Sequence, residues 1–260
     1  MKAMLLAAGL GTRLRPLTHR IPKPLIPVDG LPLIFYNLAL LKKHGIRDVV
    51  INLHHLGQKI KNILGTGKEF GFRFHYSTEK KILGTAGGIK KAEKFLKKGP
   101  FLVLNGDIIT DLPLNDLIRF HQRRKPYATL VVIKSPLAKR YGILYVNDKN
   151  RIVSFLKKPH PTRNVRETFF TGVHVLSRQF FRHQKTGVKS CIVHDNYIPL
   201  VKNGEAIDAF FQKGYWNDLG NKTRLARTNR RFKKKGVGLS YVKYLKEFRK
   251  ILDRKSFLTF

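Results

Sequence analysis

Gly9, Gly11, Arg13 and Lys23 crowd the first part of the chain, and Asp107 and Asp218 follow apolar and aromatic stretches much further on. These residue types suit a polyphosphate. Glycines let backbone N–H groups approach phosphate oxygens, a guanidinium can bind two of those oxygens at once, and Lys23, held between Pro22 and Pro24, adds a fixed point charge. A carboxylate facing a polyphosphate is repelled unless a divalent cation lies between them, and Mg²⁺ commonly takes one or two carboxylates together with phosphate oxygens. Together the six residues describe a metal-nucleotide site. Taken singly they are weak: Gly-x-Gly is common, and an aspartate is more often a helix cap or a turn residue. A basic loop is ordinarily a solvated one, but flanking a solvated lysine with prolines serves no folding purpose. The loop is not a Walker A motif, because no Gly-Lys-Ser/Thr follows. A Rossmann oxidoreductase is disfavoured by the missing third glycine and by the lack of an acidic residue about twenty positions downstream.

The elements that must position these residues are legible as an alternation. AMLLAA, DVVINL, FLVLNG and TLVVIK are short continuous apolar runs of the buried parallel type. Helical patterns separate them around Pro32 to His44, Gly57 to Leu64, Gly87 to Leu96 and Asn115 to Gln122. This βαβ rhythm predicts an α/β fold with a doubly wound, mostly parallel sheet, whose ligands bind at the carboxyl ends of the strands. Asn105-Gly106-Asp107 closes one strand, so its carboxylate falls on the same rim as the glycine loop. The loop itself, with Pro16, Pro22, Pro24 and Pro27, is expected to be irregular for about twenty residues, a length that is usually functional or disordered. From Tyr141 onward YGILYV, RIVSFL and TFFTGVHVL follow one another without helices, which predicts an antiparallel insertion over the edge of the sheet. Helical patterns return at Ile192 to Lys202 and from Thr223, with Asn229 to Gly238 expected as a basic hinge before a last amphipathic helix.

The chain has 260 residues, 42% of them hydrophobic, enough for one large domain with an appendage. Met4 to Ala8 is too short and too poorly flanked for a signal peptide, and no run approaches membrane-spanning length. Cys191 is the only cysteine, so no intrachain disulfide forms; a buried thiol in a reducing cytoplasm is the expectation. The net charge is +36, of which about +12 falls between Asn221 and Phe260 and the rest is spread over the preceding residues. Such a field raises encounter rates with anionic partners, but its spread favours a solvated basic surface over a dedicated nucleic-acid face. Deleting the chain beyond Asn229 is then expected to leave turnover largely unchanged.

The blocks LAAGLGTRLRPLT…PKPLIPV, LGTAGGI, NGDIIT, YGIL, FTGVHVL and GYWNDLGN occur in the order seen in sugar-1-phosphate nucleotidyltransferases, and the chain resembles that family from Met1 to Ala226. INLHHLGQKI and LGTAGGIKKA look most like the short branch that contains mannose-1-phosphate guanylyltransferases and the uridylyltransferase of N-acetylmuramate 1-phosphate. Many relatives carry a C-terminal left-handed β-helix, whose hexapeptide repeats are absent from Asn221 onward. The resemblance implies a Rossmann-like catalytic domain at 1–226, a sugar-binding antiparallel insertion and a basic helical tail at 227–260. It implies that Leu6, Ala7, Ala8, Gly9, Gly11, Thr12, Arg13 and Lys23 bind the nucleotide's phosphates, and that Leu83, Gly84, Thr85 and Gly88 border its base. Arg13, Lys23 and Asp107 would be catalytic, Asp107 and Asp218 would hold Mg²⁺, and Tyr141, Gly142, Lys158, Thr171 and Gly172 would take the sugar and its phosphate.

The implied reaction is in-line attack of a sugar 1-phosphate on the α-phosphorus of an NTP, and both substrates are the implied partners. His54 and His55 are then structural. Where relatives read Glu-Lys-Pro, this chain has Lys157-Lys158-Pro159. Strand alternation would turn Lys158 into the site and Lys157 away, unless a bulge turns both inward. The rival reading is a non-catalytic scaffold or regulatory subunit that binds RNA or another anionic partner. Such a scaffold has no reason to retain all six residues of the opening constellation. The base, the sugar and self-association stay open.

Overall fold

The computed structural model describes residues 1–158, 164–235 and 238–254. Pro159 of the Lys157-Lys158-Pro159 stretch and Lys255 to Phe260 of the expected tail lie outside them. In chain order the strands are β1 Lys2–Leu6, β2 Pro27–Val28, β3 Leu31–Pro32, β4 Asp48–Leu53, β5 Arg73–Thr78, β6 Phe101–Asn105, β7 Ile108–Thr110, β8 Ala128–Ile133, β9 Ile143–Val146, β10 Ile152–Phe155, β11 Arg166–Leu176, β12 Ile207–Phe211 and β13 Trp216–Asp218. The helices are α1 Leu17–Arg20, α2 Ile34–Lys43, α3 Gly57–Leu64, α4 Gly84–Lys91, α5 Glu93–Leu96, α6 Leu114–Arg124, α7 Ala138–Tyr141, α8 Ile198–Lys202, α9 Lys222–Lys235 and α10 Val242–Arg254. The class is the α/β type that the alternation predicts.

Two compact units divide the chain. The first comprises Lys2–Ile82, Leu104–Leu112 and Gly214–Phe260. In it β1 pairs with β4 and β4 with β5, all parallel; the apolar residues of β1 and β4 are buried on both faces and read as continuous runs, whereas β5, at the edge, has a mixed RFHYST sequence. β7 and β13 form a short antiparallel ladder in which Asp218 stands opposite Ile108. Every residue of α2 from Ile34 to Leu41 is buried. Phe35 of that helix meets Phe70 at 5.0 Å and Phe248 of α10 at 5.4 Å between ring centroids, an aromatic core that fixes the last helix to this unit.

The second unit comprises Leu83–Val103 and Pro113–Lys213, with Met1. β11 is its axis, antiparallel to β8 on one side and to β9 on the other, while β10 pairs with β9 and β12 runs parallel to β8. The expected antiparallel insertion is present here, but its strands pair edge to edge with β8 instead of lying over an edge, because the β11 ladder uses both of its hydrogen-bonding sides.

Two local expectations are corrected. The proline-rich loop is not irregular throughout: Thr12–Leu14 and Lys23–Leu25 are 3₁₀ turns and α1 is a single turn. A proline fits the first turn of a helix, where its missing N–H has no partner to lose. The segment from Asn229 is helix, not hinge, since α9 runs unbroken to Lys235. Asn229 Oδ1 accepts the Asp29 N–H at 2.7 Å, and Phe232 packs edge-on against Tyr36 and Tyr215. These contacts hold the helix past the expected boundary at 226, which falls inside it.

Candidate functional site

The first unit gathers the opening constellation. β1 ends at Leu6 and the chain leaves it with the Ala7 N–H donated to Asn52 Oδ1 at 2.8 Å, at the end of β4. Asn52 Nδ2 in turn donates to Glu79 Oε1 at 2.7 Å, and all of this is buried. Gly11 takes φ +63°, and a Cβ there would lie 2.7 Å from Thr18 Cγ2, so turn and packing both demand glycine. The Thr18 hydroxyl donates to the Gly11 carbonyl at 3.0 Å, while His55 Nε2 lies 2.8 Å from the Thr18 carbonyl oxygen. His54 Nδ1 lies 2.8 Å from the Glu79 carbonyl oxygen. Both histidines thus meet backbone and brace the loop, as expected. Around Gly9 no atom comes within 4 Å of where a Cβ would stand.

Lys23 Nζ reaches Asp107 Oδ2 at 2.5 Å, with side-chain exposures of 12% and 27%. Gly106 allows the close approach behind this pair, since a Cβ on it would lie 2.6 Å from the Leu6 carbonyl oxygen. The Leu219 N–H donates to the Asp107 carbonyl at 2.9 Å, so the β7–β13 ladder brings the backbones of Asp107 and Asp218 side by side. Asp218 Oδ2 accepts from Arg224 Nη1 at 2.7 Å, and its other oxygen accepts the Gly220 N–H. A Cβ on Gly220 would meet Asp218 Oδ1 at 2.6 Å and Arg13 Nη2 at 3.0 Å, which puts the Arg13 guanidinium beside that carboxylate.

Arg13, Lys23, Asp107 and Asp218 therefore share one neighbourhood, two cations against two carboxylates, with Arg224 as a third cation. Among the described residues no group of three or more His, Cys, Asp or Glu side chains is disposed to hold a metal ion. Asp107 and Asp218, on adjoining backbone, instead offer hard carboxylate oxygens of the kind that suits a cation completed by phosphate oxygens and water. Asn52, Glu79 and Arg224 escaped the sequence reading. Their only signals are a polar residue closing the apolar run DVVINL, an acid placed just after β5, and a basic residue in the first turn of a helix.

The remaining expected residues belong to the second unit. Leu83 to Gly88 open α4 and are clamped: the Ala86 N–H donates to the Ser190 carbonyl at 2.9 Å, and Thr85 Oγ1 accepts the Ile192 N–H at 2.7 Å. Gly84 has φ +70°, and a Cβ there would lie 2.6 Å from the Ser190 carbonyl oxygen. Tyr141 stacks on Phe169 at 4.8 Å, and Gly142 follows with φ +92°. The Thr171 hydroxyl donates to the Val131 carbonyl at 2.9 Å inside the sheet, while Gly172, φ +85°, sits where the β11–β8 register shifts. Lys157 and Lys158 are both exposed. β10 has ended at Phe155 and Leu156 has φ +66°, so strand alternation does not govern which way either lysine points. Cys191 is partly exposed, not buried.

A family model for nucleotidyl transferases matches residues 2–235. The UTP–glucose-1-phosphate uridylyltransferase of Synechocystis sp. is 33% identical over 233 residues, covering 85% of this chain and 60% of that protein. The mannose-1-phosphate guanyltransferase of Pichia angusta is 35% identical over 226 residues, covering 85% of this chain and 61% of that protein. The chain thus spans about 60% of the length of the curated relatives it matches. Among solved structures, a candidate glucose-1-phosphate thymidylyltransferase from Bacillus anthracis, crystallised with sucrose, superposes with a TM-score of 0.78 at 25% identity, over 93% of this chain and 98% of that one. HddC from Yersinia pseudotuberculosis shares the fold, with a TM-score of 0.74 at 24% identity over 89% of this chain and 99% of that one. No helix among the described residues is long and apolar enough to cross a membrane.

Proposed function

The chain belongs to the nucleotidyl transferase family, and on that premise we propose that it joins an NTP to a sugar 1-phosphate, releasing pyrophosphate and an NDP-sugar. The observation that carries this reading is the Lys23–Asp107 pair at 2.5 Å beside Arg13 and Asp218, in the same unit as the Gly9–Thr12 loop. Nucleotidyl transfer asks for positioning and charge neutralisation and needs no protein nucleophile. The attacking phosphate monoester is already ionised at pH 7, so no side chain has to serve as base.

The N–H groups from Gly9 to Thr12 hold phosphate oxygens, and Arg13 and Lys23 place their charges on the triphosphate. Asn52 and Glu79 fix the start of that loop through the Ala7 amide. Leu6, Ala7 and Ala8 complete the nucleotide's wall, and Leu83, Gly84, Thr85 and Gly88 border the base. Asp107 and Asp218 are the residues that would hold Mg²⁺, which when bound would neutralise charge at the reacting phosphate. Tyr141, Gly142, Lys158, Thr171 and Gly172 take the sugar 1-phosphate, with Thr171 acting through the strand to which its hydroxyl is bonded. A single thiol suits a reducing cytoplasm as the place of action.

The test is a screen of NTPs against sugar 1-phosphates with Mg²⁺, scored by pyrophosphate release. One pair should stand well above the others. A folded protein that releases pyrophosphate with none of them would remove the enzymatic reading.

A further inference from the structure

A cavity of about 480 Å³ opens in the second unit between the start of β6, the end of α6 and the end of β11. Lys98, Lys125 and Arg178 line it, and no acidic residue does. All three are exposed, and among the described residues none of them makes an ion pair, a hydrogen bond from its side chain or a contact with an aromatic face. Three other basic side chains of this unit are engaged by acids: Lys90 pairs with Glu93, and Arg124 and Arg151 share Asp208. Three cations around one concavity give it a positive field that favours an anionic occupant.

The wall offers more than charge. His121 is 2% exposed, with Nδ1 2.9 Å from Thr129 Oγ1, so its Nε2 is the ring nitrogen left for an occupant of the cavity. The volume falls within the range of small-molecule sites.

The cavity is separate from the residues assigned to the sugar. Leu176 stands opposite Ala128 at the cavity end of β11, whereas Phe169, on which Tyr141 stacks, stands opposite Ile133 at the other. Seven residues of extended chain place the two ends about 20 Å apart.

We propose that this cavity is a second anion site, which binds a phosphorylated small molecule carrying at least two phosphate charges between Lys98, Lys125 and Arg178. The site goes beyond the proposed reaction and does not depend on it.

Calorimetry with pyrophosphate tests the site, using a chain in which Arg13→Ala and Lys23→Ala have disabled the nucleotide loop. That chain should still bind pyrophosphate with one-to-one stoichiometry at 0.15 M salt. Adding Lys98→Ala, Lys125→Ala and Arg178→Ala should weaken binding at least about a hundredfold, since a single charge-assisted hydrogen bond is worth about ten- to hundredfold in affinity. The same three changes in the otherwise intact chain should remove one of two equivalents of bound pyrophosphate. The added residues are exposed, so far-UV circular dichroism should be unchanged. No binding to the loop-disabled chain, or equal binding with and without the three cations, would overturn the proposal.

Discussion

Lys23 and Asp107 neutralise each other: the ammonium and the carboxylate meet at 2.5 Å, and each is mostly withdrawn from solvent. One comes from a 3₁₀ turn in the proline-rich loop and the other from the turn between β6 and β7. The pair ties the loop to the turn after the strand and, on the proposed function, would hold the triphosphate's cation and the metal's carboxylate in register before either had a ligand.

This pair gives the first prediction. Lys23→Met should raise KM for the NTP about ten- to hundredfold, the worth of one charge-assisted contact. Asp107→Asn should instead lower kcat by orders of magnitude with the melting temperature little changed, since that residue lies on a partly open rim. Steady-state kinetics separates the two, and near-normal turnover of Asp107→Asn would remove the metal-site argument.

The tail should matter for stability, contrary to the sequence expectation that it can be deleted. Tyr241, Phe248 and Leu252 are 0 to 1% exposed, and the Tyr241 hydroxyl donates to the Thr110 carbonyl at 3.0 Å. Phe248→Ala should cost about 3 to 5 kcal/mol, as buried aromatic truncations do. Truncation after Asn229 removes all three side chains and should abolish cooperative unfolding in urea. A truncated chain that melts like the intact one would show that α10 adds nothing to the core.

Stability should fall with pH through two histidines of the second unit. Burial pushes His121 down to about 4 and His174 down to about 3, from 6.5. The unfolded chain takes up these protons below 6.5 and the folded chain does not, so this stability is complete above pH 6.5 and is lost as pH falls toward 4. Each histidine contributes a slope of up to about 1.4 kcal/mol per pH unit. Urea titrations at pH 7.5, 6.5, 5.5 and 4.5 in phosphate-free buffer should show the decline, and His121→Gln should flatten it. The same decline in that variant would assign it to other groups.

Lys158→Ala should raise KM for the sugar 1-phosphate about ten- to hundredfold and leave KM for the NTP unchanged. Lys157→Ala should change neither. If Lys157→Ala selectively impairs an acidic sugar substrate, both lysines serve the acceptor. The left-handed backbone at Leu156 permits that outcome where a plain strand would not.

The parts of the site that could be read in the sequence are those whose residue types speak for themselves. Glycines, a proline-caged lysine and an aspartate closing an apolar run each carry a local physical meaning, and βαβ order puts them on one rim. What could not be read depends on register. Asn52 meets the Ala7 amide only because β4 lies in a particular alignment beside β1, and Glu79 meets Asn52 only because β5 continues that alignment. α9 looked like a hinge because its run of bases has a low helix-burying content. Leu225, Thr228 and Phe232, three and four residues apart on one face, are what bury it.

The aromatic core shared by α2 and α10 also fixes an order of events during synthesis. Phe35 is synthesised more than two hundred positions before its partner Phe248. The second unit ends at Lys213, so its strands are all synthesised while the first unit still waits for its closing helix. The unit that holds the Gly9–Thr12 loop is thus closed only after the last segment of the other unit is made, and until then the nascent chain carries an apolar surface on α2 that α10 has yet to cover.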